Sequence, residues 1–111
     1  MNKEFNCPVE ATISLIGGKY KSVILFHLMG KTLRYSELHK KIPKATDKML
    51  AQQLRELEKD GLIKRTVYPV VPPKTEYNLT EFGKSLSPIL NAMCNWGESY
   101  LNIPSQCVEE S

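Results

Sequence analysis

The chain has 111 residues, of which 41% are hydrophobic and 24% charged; this is the size and composition of one folded globular domain, and it excludes disordered, collagen-like and coiled-coil classes. Its longest strictly apolar stretch, Val23 to Phe26, is far short of the roughly 18 residues a membrane-spanning helix needs, and Met1 to Pro8 has no apolar signal core, so a cytoplasmic protein is expected. The net charge is +3, but residues 31–68 hold ten basic against five acidic side chains and residues 69–111 two against five, which concentrates positive charge in the middle third.

Pro8 suits the first position of a helix, and Val9, Ile13 and Ile16 recur at three- and four-residue steps until Gly17-Gly18 stops the run. From Lys19 to Met29, Tyr20, Val23, Ile24, His27 and Leu28 form one stripe at helical spacing, closed by Gly30. Leu33-Arg34-Tyr35 is long enough only for a stub of strand. Ser36 is then expected to cap a short third helix that carries Leu38 and ends near Ile42-Pro43.

After the turn Pro43-Lys44-Ala45-Thr46, Thr46 caps a fourth helix whose Met49, Leu50, Leu54 and Leu57 lie within about 140° of arc. Asp60-Gly61 ends it. Leu62 to Tyr68 and Lys74 to Leu79 read as the two strands of a hairpin, joined by the proline-rich tip Pro69-Val70-Val71-Pro72-Pro73. Thr80 caps a last long pattern, Phe82, Leu86, Ile89, Leu90, Met93, Trp96, Tyr100 and Leu101, in which Pro88 is expected to make a kink. The order predicts a mainly α fold with a small β-hairpin: one winged helix-turn-helix domain over residues 1–111. Its helix-turn-helix falls at about 35–60, its wing at about 62–79, and its terminal helices at about 8–16 and 80–102.

A helix that enters a DNA major groove is buried on one side and basic or hydrogen-bonding on the other. Opposite the apolar stripe of helix four lie Lys48, Ala51, Gln52, Arg55 and Lys59, while Gln53 falls nearer the apolar side. Arginine can make a paired contact with guanine O6 and N7, glutamine with adenine N6 and N7, and alanine lets the backbone approach a base. Lys44, Thr46 and Lys48 stand where the free N–H groups of the helix start also favour phosphate. Taken alone, such a face is as well explained by solvation. The addition of Arg34, Lys40 and Lys41 before it, and of Lys64, Arg65 and Lys74 on the hairpin, favours double-stranded DNA as the partner.

Several segments carry a family resemblance. They are Cys7-Pro8-Val9, Ile16-Gly17-Gly18-Lys19-Tyr20, Ile24-Leu25, Arg34-Tyr35-Ser36-Glu37-Leu38, Lys48-Met49-Leu50, the run Leu54 to Ile63, the run Pro72 to Thr80, and Trp96-Gly97. In these the sequence resembles the HxlR-type (DUF24) branch of winged helix-turn-helix regulators, relatives of the MarR regulators. The resemblance implies a dimeric transcription factor with helix four in the major groove, the hairpin at the flanking backbone or minor groove, and the terminal helices forming the dimer. Three departures stand out: Tyr20 where the family usually has Trp, Tyr35 where Phe is usual, and Lys44-Ala45-Thr46-Asp47 in place of a turn like Gly-Ile-Ser-x. The altered turn bears on which operator is read.

Symmetry is expected on physical grounds too. One helix reads only a few base pairs, so a homodimer on a palindromic operator, with half-sites about 34 Å apart, supplies the missing discrimination. Met93, Trp96, Tyr100 and Leu101 exceed what so small a core can absorb and are assigned to the dimer interface; the resemblance adds Val9 and Ile13 of the first helix.

The cysteines are odd in number and include no C-x-x-C pair, so reduced thiols are expected. Cys7 precedes Pro8 at a helix start, where the helix dipole favours a thiolate. The resemblance implies a sensor of oxidants or small electrophiles at this position, with Cys107 as a resolving partner; the structural alternative is an apolar anchor for the N-terminus. Cys94 is expected in the core, as is His27, and His39 exposed or touching backbone. Gly17-Gly18-Lys19 lacks the spacing of a phosphate loop, and neither a metal-ligand nor a catalytic constellation emerges, so no cofactor, no metal and no enzymatic activity are expected. The reading is a transcriptional regulator, expected to repress; the alternative is a winged-helix adaptor that binds proteins instead of DNA.

Overall fold

In the computed structural model, which describes residues 5–104, the apolar periodicities become a bundle of helices with a small sheet on one side. Helix α1 (Pro8–Ile16) begins with proline at its first turn and ends at Gly17, whose N–H bonds the Ile13 carbonyl. Helix α2 (Lys21–Leu28) follows and supplies Ile24, Leu25 and Leu28 to the core. It is two residues shorter at its start than the apolar spacing suggests, and Val23 faces outward. Strand β1 (Leu33–Arg34) leads directly into α3 (Tyr35–Lys41).

The cap of α3 is not Ser36. The cap is Arg34, two residues earlier, where the Glu37 carboxylate reaches back and accepts the Arg34 N–H at 2.7 Å. Helix α4 (Asp47–Lys59) starts at its expected cap: the Thr46 hydroxyl accepts the Met49 N–H at 3.1 Å.

Strands β2 (Ile63–Tyr68) and β3 (Lys74–Leu79) pair antiparallel from Ile63 opposite Leu79 to Tyr68 opposite Lys74. The hairpin is joined by β1, whose Leu33 and Arg34 oppose Tyr77 and Glu76, so the sheet has three strands in the order β1-β3-β2. That third strand ties the start of α3 to the wing.

The last helical pattern is two helices, not one kinked helix. α5 (Glu81–Lys84) is capped by the Thr80 hydroxyl, which accepts the Gly83 N–H at 3.0 Å, and α6 (Ser87–Leu101) opens with Pro88 in its first turn. Proline lacks the N–H that a mid-helix position would have to bond, but a first-turn position needs none. Gly83 lies so close to the Leu62 carbonyl that a Cβ there would collide with backbone. The core is one cluster, in which Ile24, Leu25, Leu28, Leu38, Leu50, Leu54, Leu57, Leu62 and Leu90 are almost fully enclosed. Among the described residues no helix is long and apolar enough to cross a membrane.

Candidate nucleic-acid interface

Helix α4 sorts its residues as a groove-reading helix must. Leu50, Leu54 and Leu57 are buried with Gln53 beside them, and Lys48, Gln52, Arg55 and Lys59 are all exposed on this chain, with Ala51 half-buried between. Met49, expected inside, is only partly covered at the edge of the stripe. Lys44 and Thr46 at the helix start are exposed, as are Lys40, Lys41, Lys64 and Arg65.

Two contacts fix the rotation of this helix against the corner between α1 and α2. The Gln53 side-chain oxygen accepts the Tyr20 N–H at 3.0 Å, and Gly18 packs so closely on Gln53 that any side chain there would overlap it. Lys21, itself buried, pairs with Glu56 at 2.8 Å. Glu56 in turn accepts from Gln52 Nε2 at 3.2 Å, so a candidate base-reading amide is held by a side chain anchored from behind. The hydrogen bond from Lys21, then that from Gln52, holds the Glu56 carboxyl below its ordinary range. Gln52 and Glu56 are four residues apart, a spacing from which their contact could be read; nothing in the sequence points to Lys21.

The wing carries its own cation. Lys74 lies 5.0 Å from the centre of the Tyr68 ring and 3.7 Å from Glu76, so it is half-buried instead of fully extended. Between the wing tip and the start of α3 opens a cleft of about 550 Å³ lined in part by Arg34, Tyr35, Ser36, Tyr68 and Lys74. Tyr35 connects that cleft to α4: its hydroxyl donates to Asp47 Oδ1 at 2.9 Å. Burial first, then the Asp47 hydrogen bond, pushes the Tyr35 phenol up to about 12. His39 meets the same carboxylate oxygen at 3.2 Å through Nδ1 and the Ala45 carbonyl at 2.9 Å through Nε2. The sequence reading missed this cluster because Tyr35, His39 and Asp47 look unrelated until the turn folds.

The apolar residues assigned to an interface remain uncovered on this chain: Val9, Ile13, Met93, Trp96, Tyr100 and Leu101 are all exposed, Tyr100 by 74%. The Trp96 and Tyr100 rings stack at 5.4 Å. Cys7 is a free, half-buried thiol at the position before α1. Cys107 lies outside the described residues. Cys94 is half-exposed on α6, not in the core, and it is disulfide-bonded, against the expectation of three reduced thiols. His27 is half-buried; burial first, then Lys41 and Lys31, lowers its pKa. Among the described residues no cluster of His, Cys, Asp or Glu could hold a metal ion.

A short helix, a tight turn and a second helix with a buried apolar stripe and a basic outer face, followed by a β-hairpin, make a winged helix-turn-helix. The chain belongs to the HxlR-like helix-turn-helix family, whose model matches residues 15–105. It is 54% identical over 94 residues to YdeP, an HTH-type transcriptional regulator of Bacillus subtilis, covering 85% of this chain and 73% of that one. An HTH-type regulator of Methanothermobacter thermautotrophicus is 55% identical over 97 residues, covering 87% and 74%. Among solved structures, the redox regulator HypR in its oxidized form superposes with a TM-score of 0.80 at 50% identity, covering 84% of this chain and 96% of that one. The fold and the relatives make this chain an HTH-type transcriptional regulator of the HxlR type, with MarR-family regulators among its structural neighbours.

The alkaline limb of stability should report the Tyr35 contact. A phenol whose folded pKa is raised contributes stability that is complete below the ordinary tyrosine value of about 10 and is lost as pH rises through the folded value. Urea unfolding of wild type should therefore weaken between about pH 10 and about pH 12, and Tyr35→Phe should lose that component of the slope. Identical slopes in the two proteins would show that the Asp47 contact does not persist in solution.

Proposed function

We propose that the chain represses transcription as a homodimer on a palindromic operator, reading bases with Gln52 and Arg55 from one groove-bound helix per subunit. The observation that carries this reading is the exposure of Lys48, Gln52, Arg55 and Lys59 on the face of α4 opposite its buried leucines. Ala51 lies between them, allowing close approach to a base. Lys44, Thr46, Lys48 and Lys59 hold phosphates; Arg34 and Lys74, on the two walls of one cleft, engage the flanking backbone. The protein works in the cytoplasm, where the chromosome is.

The test separates reading from holding. Arg55→Ala should cost about 1 to 3 kcal/mol on the cognate operator and little on random duplex, whereas Lys74→Ala should weaken both alike. Equal losses for Arg55→Ala on the two duplexes would remove it from the reading set. Binding that ignores salt would instead favour the adaptor alternative, because release of counterions makes DNA affinity fall steeply with ionic strength.

The dimer reading rests on the uncovered face formed by Val9 and Ile13 on α1 and by Met93, Trp96, Tyr100 and Leu101 on α6. An isolated chain that leaves Trp96 69% exposed against a stacked Tyr100 has apolar area to hide, and a second copy hides it symmetrically. Wild type should sediment as a dimer at micromolar concentration and Trp96→Asp as a monomer with unchanged helical content. A monomeric wild type would refute the interface.

For regulation, Cys7 is the candidate target of an oxidant or small electrophile. Its support is a free, half-buried thiol at the head of α1 and the likeness to a protein described as a redox regulator. Diamide should release wild type from its operator and leave Cys7→Ser bound. If both respond alike, Cys7 is not the sensor.

A further inference from the structure

Three residues at the helix-turn-helix corner form a cluster that the functional reading does not use. His39 presents both ring nitrogens to acceptors: Nδ1 to Asp47 Oδ1 at 3.2 Å and Nε2 to the Ala45 carbonyl at 2.9 Å. A neutral imidazole carries one N–H and can serve only one of them; the imidazolium carries two and serves both. Tyr35, one helical turn before His39, donates to that same Asp47 oxygen at 2.9 Å, and the two rings lie 6.0 Å apart. All three acceptor and donor positions straddle the turn between α3 and α4, and Ala45, whose carbonyl is held, is itself buried.

The placement of Asp47 gives the cluster its consequence. It is the first residue of α4, directly after the Thr46 cap and one residue before Lys48. A carboxylate there suits the helix dipole but faces the phosphates that this end of a reading helix approaches. Its side chain is 78% exposed, so its charge is available to the duplex. Other charged or titratable groups on the elements around α3 are Arg34 on β1, Lys74, Glu76 and Tyr77 on β3, Lys21 and His27 on α2, Glu37, Lys40 and Lys41 on α3 itself, and Lys44 in the turn. Asp47 is the charged group at ion-pair distance from the His39 ring.

We infer that Tyr35, His39 and Asp47 are positioning residues that set the first turn of α4 against the DNA backbone, and that protonation of His39 strengthens DNA binding. The imidazolium closes both bonds across the turn and offsets the one acidic charge at the phosphate-facing end of α4. This rests on the DNA-binding reading above. It adds that affinity rises as pH falls from about 8 to about 5.5, and that Asp47 and His39 together carry the dependence.

The experiment is fluorescence anisotropy with a labelled random-sequence duplex at low salt, from about pH 8 to about pH 5.5. Backbone positioning acts on any sequence, so the operator is not needed. Wild type should gain roughly fivefold in affinity over that range. His39→Gln should flatten the profile. Asp47→Asn should flatten it too, yet bind more tightly than wild type at about pH 8, because it removes a charge that repels phosphate; a merely structural clamp would weaken binding instead. His27 is present in every variant and cancels from the comparison. Tyr35→Phe, which keeps the ring, should retain the slope while lowering affinity at every pH. Parallel profiles for wild type and His39→Gln would overturn the cluster while leaving DNA binding intact, and no binding by wild type at any pH would overturn the DNA reading along with it.

Discussion

Everything proposed for this molecule depends on which way α4 is turned. Its inner face is set by three leucines, 50, 54 and 57, each at most 2% exposed. Burying a leucine contributes about 2 kcal/mol, whereas an exposed ion pair contributes less than about 1 kcal/mol, so the core and not the polar surface decides the rotation. Turning the helix by one residue's angle of about 100° would carry a leucine into water and a charged neighbour into the core. The outward direction of Arg55 is thus a consequence of hydrophobic burial elsewhere on the same helix.

Burial alone leaves some play in that rotation, and the corner between α1 and α2 removes it. Gln53 sits on the margin of the leucine stripe, and its oxygen takes the Tyr20 N–H that the start of α2 leaves unpaired. Gly18 allows the approach, since a larger residue would strike the Gln53 amide. Lys21 reaches from the same corner to Glu56, and Glu56 to Gln52. Helix α1, which begins at Pro8, ends on this corner, so the residues that follow the N-terminal helix pack directly on α4.

The fold was legible wherever period and punctuation agreed. The limits of α1, α4 and β3 follow from Pro8 and Gly17, from Thr46 and Asp60, and from the alternation up to Leu79, because each boundary is made by a local bond or a missing one. The errors came where tertiary contacts compete with local preference. Ser36 is a good cap by composition, but Glu37 provides the bond first and starts the helix earlier. Pro88 reads as a kink in a continuous pattern, yet the chain breaks at Ser85 and Leu86 and gives proline the one place in a helix where it costs nothing. The exposed half of α4 was visible from the helical wheel. Lys21 behind Glu56 was not, since no periodicity links residues on different helices; the same holds for His39 and Asp47, which meet only across a closed turn.

The count of basic residues overstates what a duplex would meet. Lys74 is drawn to Glu76 and to the Tyr68 ring, although it stays near Arg34 on the same cleft. Along α4 the acidic residues are not spread evenly: Glu56 and Glu58 stand beside Arg55 and Lys59 in the second half, while Lys44 and Lys48 flank the single Asp47 at the first. Phosphates would therefore be held most strongly at the N-terminal end, where the unpaired N–H groups of the helix also point. The second half offers a mixed surface that would hold a backbone less strongly but can hydrogen-bond a base edge. On the reading proposed above, a helix charged in this way would enter a groove by its beginning, and the few side chains clamping the turn before it would then weigh more than their exposure suggests.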